Sequence, residues 1–261
     1  MLIRPSSLPS YCDCNRRGAA RLFREAIEAA GFPLRRCDKN IAAAIGTATH
    51  AATGNYLHEK MSISGTPSAE TAIACGIESL GTEIESGAVW DATSPNLNTA
   101  QRQVARLARS YIDHVAPKIT PISVEERLVA RIGTTADEVL LSGQPDVTTD
   151  GVRDIKTGTV RRYNAAQLGA YSLLLRSHGN QVNHLIEDYI KRVPLKADQP
   201  FPVEITYDQS LSENLAGVIM NRIMADYAAF MESGNPEVIL ANPMSMLCSD
   251  KYCDASGTTF C

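Results

Sequence analysis

The amino-acid sequence predicts an α/β (α+β) fold, in which a small mixed central sheet containing an antiparallel meander is flanked by helices. Three observations carry this expectation. Apolar residues recur every three to four positions in segments before residue 116. Three strand-like runs follow between residues 121 and 156, and after them come a helix, a strand and a long helix. That order is the one expected of a small sheet covered by helices.

Taken in chain order, Ala19, Leu22, Phe23, Ala26, Ile27 and Ala30 predict an amphipathic helix from Asn15 to about Ala30, ended by Gly31. Residues 40–62 predict a second, alanine-rich helix that carries His50. Residues 64–96, with scattered Gly, Ser, Thr and Pro, read as partly irregular. Val104, Leu107, Ala108, Tyr111 and Ile112 predict a helix over 98–115. The runs ISVEERLVARI, EVLLSGQPDV and VRDIK are separated by short turns at Gly133 and Asp150-Gly151, and predict the meander. A helix over 163–177, a strand over 184–193, a short edge strand over 204–207 and a helix over 212–233 complete the order. The tail from Asn235 reads as loop.

A chain of 261 residues can bury a full-sized core. The expectation is one domain over 1–261 with its core at about 40–207. The N-terminal helix (6–31) and the tail (235–261) form a cysteine-bearing region. No apolar run approaches the roughly 20 residues that span a bilayer. The opening MLIRPSSLPSYCDC lacks the apolar stretch of a secretory signal. No membrane association and an intracellular, cytoplasmic location are therefore expected, in the host cytoplasm if the protein is viral.

The net charge of -4 does not announce a nucleic-acid partner, but residues 1–40 hold eight basic side chains against four acidic ones. Seven cysteines, an odd number, argue against a disulfide framework in an intracellular protein. Cys12 and Cys14 lie near the start, and Cys248, Cys253 and Cys261 crowd the last fourteen residues, so metal binding is expected of these groups. Cys37 and Cys75 have no partners in sequence and read as structural.

The stretch GQPDVTTDGVRDIKTG, residues 143–158, bears most directly on chemistry. Asp154 and Lys156 lie two apart on one strand, so their side chains share a face. A hairpin at Asp150-Gly151 brings Asp146 beside Asp154. Two carboxylates at one point call for a cation between them, and hard oxygen donors suit Mg²⁺. An adjacent lysine suits a site where water is deprotonated or a phosphorane charge is neutralised.

Pro145-Asp146 followed by Asp154-Ile155-Lys156 resembles the motif of the PD-(D/E)XK nuclease superfamily, with its restriction-endonuclease-like core. The likeness extends to its RecB-like branch. Gly46-Thr-Ala-Thr-His50 resembles that branch's G-x-x-x-H helix motif, and Gln167-Leu-Gly-Ala-Tyr171 resembles its Q-x-x-x-Y motif. Glu125 stands where the branch often has a glutamate on the first strand of the meander. Each motif alone is weak, but their order and spacing are not.

The cysteines resemble those of CRISPR-associated and AddB-type iron–sulfur exonucleases, with one before the nuclease core and three after it holding a [4Fe–4S] cluster. The resemblance implies Cys14 (with Cys12 in reserve), Cys248, Cys253 and Cys261 as its ligands. The last three are more widely spaced than in that family, and a four-thiolate zinc site is the rival.

The resemblance further implies Mg²⁺ or Mn²⁺ held by His50, Asp146, Asp154 and the main-chain carbonyl of Ile155. Lys156 acts on the attacking water, Gln167 and Tyr171 orient Lys156 or meet a DNA phosphate, and Glu125 supports the metal. Arg16, Arg17, Arg161 and Arg162 are the expected backbone contacts. The implied activity is DNA exonuclease action, 5′ to 3′, on single strands or ends. It belongs to recombination, repair, or phage or CRISPR DNA processing. The alternatives are a catalytically idle DNA-binding or scaffold subunit and a zinc-stapled adaptor. No G-x-x-x-x-G-K-[ST] motif is present, so any helicase or recombination partner is a separate protein.

Overall fold

The computed structural model of the chain describes residues 1–62, 66–85, 87–133 and 139–261. Glu138, with which the second strand-like run opens, lies outside the described residues, as do parts of 64–96.

Side-chain caps start the helices at 41, 69, 97 and 209, whereas the first three helices have none. Helices α1 (Leu8–Asp13), α2 (Asn15–Leu22) and α3 (Arg24–Ala29) replace the continuous helix expected over 15–30. The chain breaks at Phe23, whose ring is buried 4.9 Å from that of Tyr227, so tertiary packing overrides the helical periodicity there. The Asn40 side chain accepts from the Ala42 amide to start α4 (Ile41–Met61). Ser68 caps α5 (Ala69–Ile84), a helix where residues 64–96 read as partly irregular. Its small residues serve close packing: a Cβ at Gly76 would stand 2.7 Å from the Ala48 carbonyl oxygen of α4. Asn96 caps α6 (Leu97–His114).

The expected meander divides between two sheets. One sheet has β1 (Leu2–Ile3), β4 (Val139–Gly143) and β3 (Leu128–Ile132) in the order β1-β4-β3. The other has β2 (Ser123–Val124), β5 (Val147–Thr148), β6 (Val152–Gly158), β7 (Leu185–Lys191) and β8 (Val203–Tyr207) in the order β2-β5-β6-β7-β8. Each of the first two strand-like runs thus contributes to both sheets. The first breaks at Glu125, whose φ of 50° is rare for a residue with a side chain. The second breaks at Gln144-Pro145-Asp146, where proline cannot donate to a ladder. The two breaks are tied together, because the Glu125 amide donates to the Asp146 carbonyl at 3.1 Å. Within the larger sheet β6 and β7 run parallel and the other pairs antiparallel, so the sheet is mixed as expected.

Between β6 and β7 the chain forms α7 (Ala165–Ser177), and after β8 it forms α8 (Gln209–Ser233), capped by Asp208 and ended by Gly234 at φ 63°. The two helices pack closely, since a Cβ at Gly169 would stand 2.0 Å from the Ser212 carbonyl oxygen. One buried core joins α1, α2, α3, α7 and α8 to the smaller sheet and to one face of the larger (Val152, Leu185). The second joins α4 and α6 to the other face through Val124, Val147, Ile155 and Ile190.

The tail returns to the N-terminal helices. Phe260 is buried against Phe230 and Phe32, Arg24 pairs with Asp254 at 2.7 Å, and the Arg16 amide donates to the Leu240 carbonyl. Packing and hydrogen bonds therefore join the two ends through their own residues. No helix among the described residues is long and apolar enough to cross a membrane.

Candidate active site

The fork between the two sheets brings the predicted residues together. Asp146 stands at the fork just before β5, and β6 carries Asp154 and Lys156 on the face toward α7. The Asp146 carboxylate accepts from the Ile155 amide at 2.6 Å through Oδ2 and meets His50 Nδ1 at 3.0 Å through Oδ1. Lys156 Nζ lies 2.5 Å from Asp154 Oδ2. Gln167 Nε2 donates to Asp154 Oδ1 at 3.1 Å and is 3.4 Å from the Tyr171 hydroxyl. Amide and carbonyl of one strand residue point the same way. The Ile155 carbonyl therefore faces the same gap beyond the end of β5 as its amide.

On α4 the helical spacing sets Gly46, His50 and Gly54 on one face. A Cβ at Gly46 would meet Thr157 Oγ1 of β6 at 3.4 Å, and one at Gly54 would meet the Glu125 carboxylate at 3.1 Å. The glycines let the helix approach the fork while His50 reaches Asp146. Gly54 was not singled out by sequence reasoning, although its i+4 spacing from His50 was the available signal.

Electrostatics follow from crowding in a buried place. Burial opposes protonation of His50, but Asp146 outweighs it and holds the imidazole above its ordinary value. Burial likewise favours the neutral form of Asp146, yet His50, then Lys156 and the Ile155 amide, keep that carboxyl below the usual range. Asp154, only 1% exposed, is pushed up to about 6 by burial, with Asp146 adding to the rise and Lys156 opposing it. Burial works against charge on Lys156, but Asp154 and Asp146 hold its ammonium above the ordinary lysine value. Glu125 is raised by burial and by Asp146, while His50 and His58 oppose the rise.

Among the described residues, no three His, Cys, Asp or Glu side chains already stand at metal-ligating spacing. The donors instead satisfy one another, His50 with Asp146 and Lys156 with Asp154. The chemistry of the set still fits a divalent cation. Asp154 Oδ2 is buried beside the Lys156 ammonium group yet accepts no well-directed hydrogen bond. Burial raises that carboxyl to about 6, and the two carboxylates of Asp146 and Asp154 are hard oxygen donors that suit such an ion.

The remaining predicted residues fall differently. Gln167 bonds to Asp154, and Tyr171 is buried beside Gln167. Arg17 is a correction: it is 4% exposed and pairs with Asp13 at 2.8 Å, facing inward because its helix packs on that side. Arg16 donates from Nε to the Ile239 carbonyl, tying down the tail. Arg161 donates to Glu187 at 3.0 Å and to the Tyr207 hydroxyl at 2.6 Å, and Arg162 is exposed. Glu187, fully buried in register with Asp154, was missed because an acidic residue in an apolar strand gives no sign of its partners.

The cysteines of the two ends influence one another. Burial raises the Cys253 thiol, with Cys261 and Cys14 adding to it. Burial also raises Cys261, where Arg16 opposes the effect of Cys248 and Cys14. Cys37 has a setting that sequence spacing hid: it is pushed up to about 11 by burial and by Asp254, which also accepts from its amide at 3.1 Å.

A forked mixed sheet whose carboxylates, lysine and histidine meet at the fork defines a nuclease of the PD-(D/E)XK type. The model of the PD-(D/E)XK nuclease superfamily matches residues 4–257, and the chain belongs to that superfamily. Its fold is similar to the crystal structure of a candidate exonuclease from Eubacterium rectale, with a TM-score of 0.56 and 12% identity over 89% of this chain and 82% of that one. No curated protein matches it in sequence.

Proposed function

We propose that the protein, acting as one nuclease domain over 1–261, is a divalent-metal-dependent DNA exonuclease. The observation that supports this most is the meeting of His50, Asp146, Asp154 and Lys156 at the fork between the sheets. The superfamily and the exonuclease description of the structural neighbour point the same way.

Asp146, Asp154, His50 and the Ile155 carbonyl would hold Mg²⁺ or Mn²⁺. When bound, such an ion polarises the scissile phosphate and makes its coordinated water more acidic. Asp146 has its second oxygen fixed by the Ile155 amide, so its carboxylate is oriented before any substrate arrives. Gln167 fixes Asp154 in the same way. Lys156, kept protonated by the two carboxylates, offsets negative charge developing on phosphorus and orients the attacking water. Glu125 faces His50 and supports the site from the other arm of the fork.

Action 5′ to 3′ on single strands or ends rests on the resemblance of the Gly46–His50 and Gln167–Tyr171 motifs to the RecB-like branch. On the resemblance of the cysteine placement to iron–sulfur exonucleases, Cys14, Cys248, Cys253 and Cys261 bind a [4Fe–4S] cluster that staples the tail to the N-terminal helices. Closing a loop of more than 230 residues is stabilising. The setting is DNA recombination or processing in the cytoplasm, with any helicase partner a separate chain.

The test is hydrolysis of 5′- and 3′-blocked DNA with Mg²⁺ or Mn²⁺ by wild type and Asp154→Ala. Equal activity in the two proteins overturns the catalytic assignment. Metal analysis of anaerobically purified protein decides the thiol site, where stoichiometric zinc in a colourless protein rules out the cluster.

A further inference from the structure

The segment between β6 and α7 departs from the site toward solvent, and its setting is unusual for a surface loop. Tyr163 is 60% exposed, yet its ring lies 5.5 Å from that of Tyr207, which supports it from one side. Arg161 lies over the same Tyr207 ring at 5.7 Å and is held by the carboxylate of Glu187. That carboxylate also accepts from the Tyr207 hydroxyl at 2.7 Å and from Asn164 Nδ2 at 2.9 Å. A fully buried acid thus anchors an exposed loop by three donors, one from each end of the loop and one from the tyrosine beneath it. Glu187 also sits opposite Asp154 in the strand register and adds to the charge felt by Lys156. The anchor therefore ties the loop directly to the floor of the active site.

We propose that Tyr163 is a stacking platform for a base of a single-stranded DNA substrate, with the exposed Arg162 beside it drawing a flanking phosphate while Arg161 holds the loop to Glu187. This deepens the nucleolytic reading above and rests on it. The chemistry selects the partner. An exposed aromatic ring that leans on Tyr207 and has an exposed arginine next to it in the chain suits an unpaired base and its backbone, since every base offers a π-face and the phosphates supply negative charge. In a duplex the faces of the bases are covered by their neighbours, leaving only a frayed or terminal base to occupy such a surface.

The experiment uses the full chain carrying Asp154→Ala, so that the DNA survives, and measures fluorescence anisotropy with a labelled single-stranded oligonucleotide and with a blunt hairpin. Adding Tyr163→Ala should weaken single-strand binding roughly 5- to 150-fold, the range for losing one stacked base. Hairpin binding should change much less, and Tyr163→Phe should keep the affinity. One abasic position in the oligonucleotide should weaken the Tyr163 protein while leaving Tyr163→Ala unaffected. Undiminished binding by Tyr163→Ala, a loss in Tyr163→Phe equal to that in Tyr163→Ala, or an equal loss on the hairpin each overturns the proposal. Binding to DNA that ignores Tyr163 leaves the nucleolytic reading standing, whereas no binding to either DNA by the parent removes both.

Discussion

Two ion pairs on β6 begin one residue apart, face opposite sides of the sheet and are satisfied to different degrees. Arg153 grips Asp188 by two hydrogen bonds, at 3.0 and 2.7 Å, and takes Glu204 as a second partner at 2.6 Å. Asp188 is 1% exposed, so this pair closes on itself. Asp154 is as deeply buried, but its partner Lys156 reaches partly exposed space, and its Oδ2 is left without a directed donor. Asp146 stands nearby with a second carboxylate. Burial alone does not separate a structural pair from a reactive one. The separating feature is what lies beyond the pair: the Arg153 guanidinium is taken up by Asp188 and Glu204, whereas Lys156 and Asp154 border space where something else can bind.

Breaking each pair should therefore give opposite signatures. Asp154→Ala should cut hydrolysis by more than about 10³-fold, since a bound metal contributes several kcal/mol at the transition state. The protein should stay folded by circular dichroism. Retained turnover would place the two pairs in the same class. Asp188→Ala should instead lower stability by about 3–5 kcal/mol in urea unfolding, because it strands a buried guanidinium group. Glu204 should cushion that loss toward the lower end, and hydrolysis per folded molecule should be unchanged. Gln167→Ala, which frees Asp154 to rotate, should weaken Mn²⁺ binding roughly 10- to 100-fold by calorimetry. An unchanged affinity would show that the glutamine plays no part in holding the carboxylate.

The smallest effect is a pH limb. The Asp154 carboxyl sits at about 6, above its ordinary value of 3.8, so it is protonated below that point. Hydrolysis at low metal should fall about tenfold per pH unit below pH 6 and level off above it. Added metal should displace the limb toward lower pH. In the metal-free protein, the same raised value means that Asp154 stabilises the fold at low pH, and that this contribution is lost as pH rises through about 6. Thermal unfolding of metal-free protein against pH checks the sign, and a contribution growing with pH would contradict it.

The amino-acid sequence alone determined helices over 40–62, 98–115 and 163–177 and a strand at VRDIK, which the structure has at 41–61, 97–114, 165–177 and 152–158, and the placing of Asp154 and Lys156 on one face. These follow from periodicity and capping, which act over a few residues. The motif order around Asp146 was equally legible. Only the tertiary structure decided that the meander forks at Glu125 and Asp146, that residues 69–84 are helical, that Arg17 points inward and that Glu187 anchors Arg161. Three of these depend on a partner far along the chain: the Ala48 carbonyl for Gly76, Glu187 for Arg161 and the Asp146 carbonyl for Glu125. Local propensity costs of a kcal/mol or less are overridden by such contacts, and a sequence read in short windows holds no record of them.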